Sequence, residues 1–239
     1  MIYTLLPLKA NLISIMIKKR LNQDIESFLS RYFSFEKVQS PKFGYLALEG
    51  KISIVDDRNK LWGHFEILVL INKSEYPHTT PVVIEKTTLI NRDWNFHISK
   101  DGECCLDIPH KLLKLKKRGI LFEEFYREVI YPFFANYHFK KSTGYYANGE
   151  YDHHFAGIVQ YYREEYALED FQNIIAILET ALYGTKYQPN KECPLCGGGK
   201  YKKCCRKKDY KLKGYGQPQL RIDLELFKQH YLKRTKGLE

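Results

Sequence analysis

The six cysteines stand in two groups, Cys104 and Cys105, then Cys193, Cys196, Cys204 and Cys205. Such clustering speaks for catalysis or metal binding in a reducing compartment rather than for a secreted disulfide framework. Cys105 closes the run Gly102-Glu103-Cys104-Cys105 and is followed by Leu106-Asp107-Ile108. A glycine-bearing loop after a strand can expose a thiol without straining it, which suits a nucleophile. The chemistry expected of Cys105 is attack on an activated acyl group and its transfer to an amine. Such exchange works best when the attacking thiol has a pKa near ambient pH. Asp101, Glu103 and Asp107 would, if close in space, disfavour the thiolate. A papain-like hydrolase instead wants a paired imidazole and a depressed pKa. Cys104 reads as a small buried hydrophobe.

Three histidines are candidate partners. His97 could donate an imidazole N–H to an oxyanion, or serve as base for the attacking amine. It could equally bond a loop carbonyl as a structural residue. Asp152-His153-His154 heads a later helical stretch, where a loop could return a base over the thiol; an exposed helix start is also commonly polar. In the tail, Cys193-Pro194-Leu195-Cys196 and Cys204-Cys205 flank Gly197-Gly198-Gly199. Four thiolates suffice for a closed, structural tetrahedral zinc site, and the glycines let so short a chain turn back. A redox cluster is the alternative, but a thioredoxin-like βαβ context is missing.

These groups need elements to hold them. Asn22-Gln23-Asp24 precedes Ile25, Phe28, Leu29, Tyr32 and Phe33, spaced as an amphipathic helix requires. Gln39-Ser40-Pro41 and Gly44 break that pattern. Strands are expected over Leu46–Val55, over Phe65–Ile71 (nearly buried on both faces) and over 81–84. Lys111, Lys114, Lys116, Lys117 and Arg118 form a basic run after Cys105, either a solvated helix end or a docking surface for an acidic partner. A helix from Leu121 to Ile130 is expected to stop at Pro132. Tyr145 to Glu150 is loop-like. Two more helices are predicted near Phe155–Tyr166 and Leu168–Tyr183, the second ending at Gly184. A final one carries Leu220, Leu224, Phe227 and Tyr231. Helix followed by antiparallel meander is an α+β pattern.

The net charge of +10 is uneven: residues 186–215 carry ten Lys/Arg against two Asp/Glu, while the first 185 balance at 23 against 23. Any nucleic-acid role would therefore belong to the basic tail. With 44% hydrophobic and 15% aromatic residues, the chain can bury a core. The opening MIYTLLPLKANLISIMIKKR is too short and interrupted for a membrane span, and its charges follow the apolar run, the reverse of a secretory signal. Residues 1–15 are either an arm preceding a true start at Met16 or an element that packs on the domain.

Tyr76-Pro77-His78-Thr79-Thr80-Pro81-Val82-Val83, then His97-Ile98, then Gly102 to Ile108, resemble the active-site half of the ubiquitin-conjugating enzymes. That family carries Y-P-x-x-P-P, H-P-N-I and G-x-I-C-L-D-I. The resemblance spans roughly residues 24–107, with Lys51–Val55 and His64–Asn72 at the family's first two strands. His97 stands at the family's asparagine and Asn95 at its histidine, the Tyr76–His97 interval is longer, and of the paired prolines only Pro81 is kept. The chain is closer in these respects to divergent bacterial members, some encoded with cyclic-oligonucleotide-based anti-phage signalling systems. The resemblance implies a ubiquitin-conjugating fold, an antiparallel meander sheet flanked by helices. It also implies a thioester between Cys105 and the C-terminus of a ubiquitin-like modifier or of an anti-phage nucleotidyltransferase. The tail resembles the SEC-C zinc motif, C-P-C-G-S-G-x-K-Y-K-x-C-C, with one residue added in the first gap.

The expected organisation is an N-terminal arm (1–15), a conjugating-like catalytic domain (16–185) and a zinc-binding tail with a short helix (186–239), in a cytoplasmic protein. The expected activity is acyl transfer through Cys105, with His97 or else His153 or His154 assisting, and structural Zn2+ on Cys193, Cys196, Cys204 and Cys205. A separate activating enzyme, or an already activated substrate, would be needed, because no nucleotide-binding glycine loop is present. The rival readings are a Cys-His hydrolase or deconjugase, a nucleic-acid-binding zinc knuckle, and an inactive conjugating-like scaffold.

Overall fold

The computed structural model describes residues 5–147, 149–152, 154–184 and 187–236. The chain divides into two compact units, 1–150 and 151–239.

The first unit is α+β. Helix α1 (Leu5–Leu29) is followed by strands β1 (Phe35–Val38), β2 (Tyr45–Val55), β3 (Leu61–Asn72) and β4 (Val82–Glu85), paired in chain order as an antiparallel sheet. Then come α2 (Pro109–Arg118), α3 (Phe122–Phe125) and α4 (Tyr131–Thr143). Alternation builds the core as strand geometry requires: Phe65, Ile67, Val69 and Ile71 of β3 are all buried, alongside Leu48, Ile52 and Ile54 of β2. Burial on both faces of β3 is confined to its second half, where Leu70 is also buried while Glu66 is exposed. Phe134 and Tyr137 of α4 pack on Phe65, with ring centroids 4.8 and 5.7 Å away. Leu21, Ile25 and Phe28 line the buried stripe of α1, and Phe28 meets Phe122 edge-on at 4.6 Å.

Three expectations change. The helix runs through Asn22-Gln23-Asp24 instead of starting there, because Asp24 caps a different helix. Its carboxylate accepts the Phe122 N–H at 2.7 Å and a short hydrogen bond from the Tyr76 hydroxyl. The N-cap position of α3 is Leu121, which has no side-chain acceptor to give, so α1 supplies one from 98 residues away. Phe33 lies beyond the helix and is exposed. Pro132 does not end the helix either: a π-helical turn over Tyr126–Ile130 precedes α4, and Pro132 enters in that helix's first turn, where the absent N–H is least missed. Strand β1 was not expected; it forms against β2 with Phe35 lying opposite Gly50, whose lack of a Cβ makes room for the ring.

The second unit is helical: α5 (His154–Tyr166), α6 (Phe171–Tyr183), α7 (Cys205–Lys213) and α8 (Gln217–Thr235). Asp170 caps α6 through the Asn173 N–H, and Gly184, at φ 91°, closes it with its N–H on the Thr180 carbonyl at 3.0 Å. Helix α6 packs on both α7 and α8. Leu220, Leu224 and Phe227 are buried as their spacing predicts. A buried carboxylate, Asp223, accepts from Tyr162 at 2.7 Å and Gln219 at 2.8 Å. No helix among the described residues is long and apolar enough to cross a membrane.

Asp24→Ala is expected to lose about 1–3 kcal/mol in urea unfolding, since it removes the acceptor of the Tyr76 hydroxyl and leaves the Phe122 N–H only its 3.1 Å bond to that hydroxyl. A midpoint unchanged from wild type would remove the carboxylate from the list of groups that hold α3.

Candidate functional site

Beyond β4 the chain makes a short 3-10 turn (Trp94–Phe96) and then doubles back along the β4 edge. Residues 102–105 lie between two neighbours. On one side Cys104 N–H donates to the Val83 carbonyl and Glu85 N–H to the Gly102 carbonyl, both at 2.8 Å. On the other, Cys105 N–H donates to the His97 carbonyl at 2.8 Å and Ser99 N–H to the Glu103 carbonyl at 2.9 Å. Ile98 faces Cys104 in an antiparallel bridge, which puts His97 opposite Cys105. Side chains alternate along this segment: Gly102 and Cys104 are buried, whereas Glu103 and Cys105 are exposed.

Gly102 makes that placement feasible. Its φ is +86°, and a Cβ there would stand 2.6 Å from the Glu85 carbonyl oxygen. The same carbonyl accepts from Arg92 Nη2 at 2.7 Å, while Arg92 Nη1 lies 2.6 Å from Glu85 Oε2. The Glu85 side chain is wholly buried and also takes a short hydrogen bond from Thr87. A paired, multiply contacted carboxylate can be tolerated inside a protein where a lone one cannot.

Although the Cys105 side chain is exposed, enough chain surrounds it that burial is the first cause pushing its thiol above the ordinary value; Asp107 and then Glu103 add to the shift. Burial likewise raises Asp107, against the pull of the Ile108 N–H, Lys111 and His97. Cys104 is raised strongly by burial and the nearby Glu85, and its thiol points at the Gly102 carbonyl.

His97 ends the 3-10 turn in the left-handed region (φ 54°), with its N–H on the Trp94 carbonyl at 3.0 Å. Its Nε2 lies 3.1 Å from Glu150 Oε2. Lys140 of α4 donates to the Asn95 carbonyl at 2.7 Å, sits 3.4 Å from both Glu150 oxygens, and lies 4.1 Å from the centre of the Tyr146 ring. The Tyr146 hydroxyl reaches the Asn95 carbonyl at 3.4 Å. Glu150 and Lys140 are thus site residues that sequence reasoning missed; a glutamate 53 positions from its histidine partner leaves no local signal.

His153 lies outside the described residues. His154 belongs to the second unit, where it lines a cleft of about 510 Å³ with Phe155, Arg163, His230 and Arg234. The Phe155 and His230 rings stack there at 3.8 Å.

The basic run after Cys105 is helical. α2 starts at Pro109, with His110 buried and Lys114, Lys117 and Arg118 exposed; Arg118 pairs with Glu124 at 2.6 Å.

The tail brings its four cysteines together. Cys193, Cys196, Cys204 and Cys205 present sulfurs that all lie within 4.8 Å of one another. Sulfurs about 2.3 Å from a common tetrahedral ion would be separated by about 3.8 Å, so the donor set fits a metal after a small contraction. The knuckle closes by main-chain bonds, Cys193 N–H to the Gly199 carbonyl at 2.7 Å and Tyr201 N–H to the Lys191 carbonyl at 2.9 Å. Gly197 and Gly199 have φ of 60° and 92°. Burial works to raise the Cys193 thiol, but the Leu195 and Cys196 N–H groups and the Cys204 and Cys205 thiols outweigh it and lower it. These are the contacts that favour a thiolate ligand.

No protein-family model, no curated protein and no solved structure matches this chain.

Gly102 and Gly144 offer a matched test of the strap. Both have φ between 80° and 90°, yet a Cβ at Gly144 meets nothing within 4 Å. Gly144→Ala should cost only the backbone term, about 1–2 kcal/mol, and Gly102→Ala measurably more by thermal or urea unfolding. Equal costs would show that the close approach to Glu85 is relieved cheaply.

Proposed function

We propose that the first unit is a ubiquitin-conjugating-like acyl carrier. The observation that carries this reading is the placement of Cys105: outward-facing, on a segment pinned by main-chain bonds on both sides, with a thiol raised by burial and carboxylates. Such a thiol is a poor spontaneous nucleophile. That suits a cysteine kept quiet until a partner presents an activated thioester. The order of helix, four-stranded antiparallel meander and cysteine-bearing return segment supports the same fold reading.

In the first step the Cys105 thiolate attacks the partner's activated C-terminal carbonyl. A C–S bond forms at Cys105 and the bond to the donor's sulfur breaks. In the second step an amine attacks that carbonyl, a C–N bond forms, and Cys105 leaves as thiolate. His97, whose carbonyl accepts the Cys105 N–H, is the group to assist there. Trp94 and Leu89 on the preceding loop are exposed apolar side chains, and with the basic face of α2 they would offer a partner protein both apolar and cationic contacts. A hydrolase built like papain would need its thiol acidified; the groups around Cys105 act in the opposite sense.

The same reading assigns Zn2+ to the four tail cysteines. All four positions of a tetrahedral ion would be filled by sulfur, leaving none for water, so the metal would be structural. None of the six cysteines forms a disulfide, which fits a reducing, cytoplasmic setting.

Co-expressed with its neighbouring genes, the protein should carry a mass adduct that thiols or hydroxylamine remove. The adduct should be absent in Cys105→Ala and persist as a stable ester in Cys105→Ser. Release of a free carboxylic acid from a peptide substrate, with no acceptor required, would favour the hydrolase instead.

Elemental analysis should find about one zinc per chain, lost in Cys193→Ser. Chelation should lower the helical signal of residues 187–236 while the amides of β2 and β3 stay protected from exchange. A chain that folds fully and keeps its melting temperature in chelator has no structural metal.

A further inference from the structure

We propose that Glu150 is the positioning residue for His97, holding the imidazole as a base that takes the proton from the attacking amine when Cys105 is discharged. This rests on the acyl-carrier reading of Cys105.

Four observations on separate elements converge. First, the Cys105 N–H donates to the His97 carbonyl at 2.8 Å, one step beyond the isolated Ile98–Cys104 bridge. That main-chain bond holds the two residues next to each other in space. Asp107, two residues beyond the thiol, lies in the field of the His97 imidazole as well as beside Cys105. Second, the Glu150 carboxylate lies 3.1 Å from Nε2. A carboxylate there selects the tautomer with the proton on Nε2, which makes Nδ1 the basic nitrogen. Third, Glu150 is itself held. Lys140 lies 3.4 Å from both its oxygens while donating to the Asn95 carbonyl. The backbone turn that carries His97 and the carboxylate that orients it are therefore tied to the same ammonium. Fourth, the His97 side chain is only 16% exposed, whereas Glu150 is 42% exposed. The imidazole is sheltered from water on a site whose thiol is open.

The proton balance closes on groups already present. The neutral amine nitrogen attacks the thioester carbonyl, forming C–N. Nδ1 of His97 accepts the amine proton as the C–S bond breaks. Cys105 leaves as thiolate and is then reprotonated from the imidazolium, which the adjacent Glu150 carboxylate stabilises.

Among the described residues, Glu150 on the loop after α4 contacts the His97 ring, Asp107 on the thiol segment lies in its field, the Tyr146 ring lies 5.6 Å from it, Lys140 on α4 adjoins the Glu150 carboxylate, and Asp93 caps the turn that His97 ends. Two of them bear directly on the ring's basicity with known sense. The Glu150 carboxylate favours the imidazolium and Lys140 disfavours it. Glu150→Gln keeps the shape and removes the charge, so the His97 pKa should fall.

The test uses the full chain with zinc in place and a synthetic peptide thioester as the acyl donor. Loading of Cys105 is read by intact mass, and discharge onto glycinamide is followed between about pH 5.5 and 9, normalised to the loaded fraction. The dyad requires Glu150→Gln to discharge about ten- to a hundredfold more slowly, with the pH inflection moved to lower pH, and Glu150→Asp to recover part of the rate. In parallel, NMR titration of the His97 ring, assigned with His97→Gln, should show the lower pKa in Glu150→Gln. If wild type loads and Glu150→Gln discharges at the wild-type rate with an unmoved inflection, Glu150 does not position a base and the inference fails while the carrier reading stands. If wild type never loads, the carrier reading fails first. An unmoved His97 titration overturns the pair irrespective of activity.

Discussion

The constraint on which the first unit's chemistry depends is the strap of main-chain hydrogen bonds that fixes residues 102–105 between the β4 edge and residues 97–99. Period-two alternation then leaves no freedom: if Cys104 is inward, Cys105 is outward. A slip of one residue would bury the Cys105 thiol and expose its neighbour. The strap therefore does for a single sulfur what register does for a whole strand. Its geometry has a cost, borne at Gly102 and at His97, both held at positive φ.

Buried polar groups reinforce the strap where apolar packing could not give direction. The Glu85–Arg92 pair bonds the Glu85 carbonyl as well as the carboxylate, so it anchors the β4 end of the strap and the loop leading to His97 together. Apolar side chains of similar size would fill the space at less desolvation cost, but would not specify which backbone oxygen lies where. Asp24 plays a comparable part at the other end of the core, joining α1, the Tyr76 loop and α3 through two hydrogen bonds. Asp223 does so in the second unit, where Tyr162 and Gln219 satisfy both carboxylate oxygens. In each case a carboxylate brings together segments far apart in the chain, and the burial that makes it costly also makes its partners exclusive.

What could be read from the chain follows from how local the signal is. The strands at 45–55 and 65–71 were legible through alternation, and the helices at 154–166 and 171–183 through their 3.6 period, with Gly184 marking an end it does make. The metal-capable cluster was legible because all four cysteines fall within thirteen residues. Features that depend on distant partners were not. Asp24 looked like a local helix cap because its type and place fit one; the group it caps is set by tertiary packing. Pro132 looked like a stop because the π-helical turn that admits it has no sequence signature. The division at residue 185 followed the change in charge, whereas compactness puts 151–183 with the tail, since α6 packs on α7 and α8. Of the histidines, His97 faces the thiol segment and His154 lines the cleft of the other unit. Type and spacing alone could not assign them to different units.

Two uses of cysteine coexist in this chain, and geometry keeps them apart. In the tail the thiols lean on one another: N–H donors and neighbouring thiols lower Cys193, while burial and the same shared thiol contacts raise Cys204 and Cys205, a set of shared protons that a metal ion would displace. Cys105 has carboxylates for neighbours instead, and they oppose the thiolate that metal or oxidant would need. The adjacent thiol cannot complete a chelate, because Cys104 points to the opposite face of the same segment. An exposed cysteine would otherwise be a liability in a protein that carries a four-sulfur site. Burial, Asp107 and Glu103 together disfavour the Cys105 thiolate. On the acyl-carrier reading we propose, the reaction of such a thiol would be driven by an activated carbonyl, with the His97–Glu150 pair as its base.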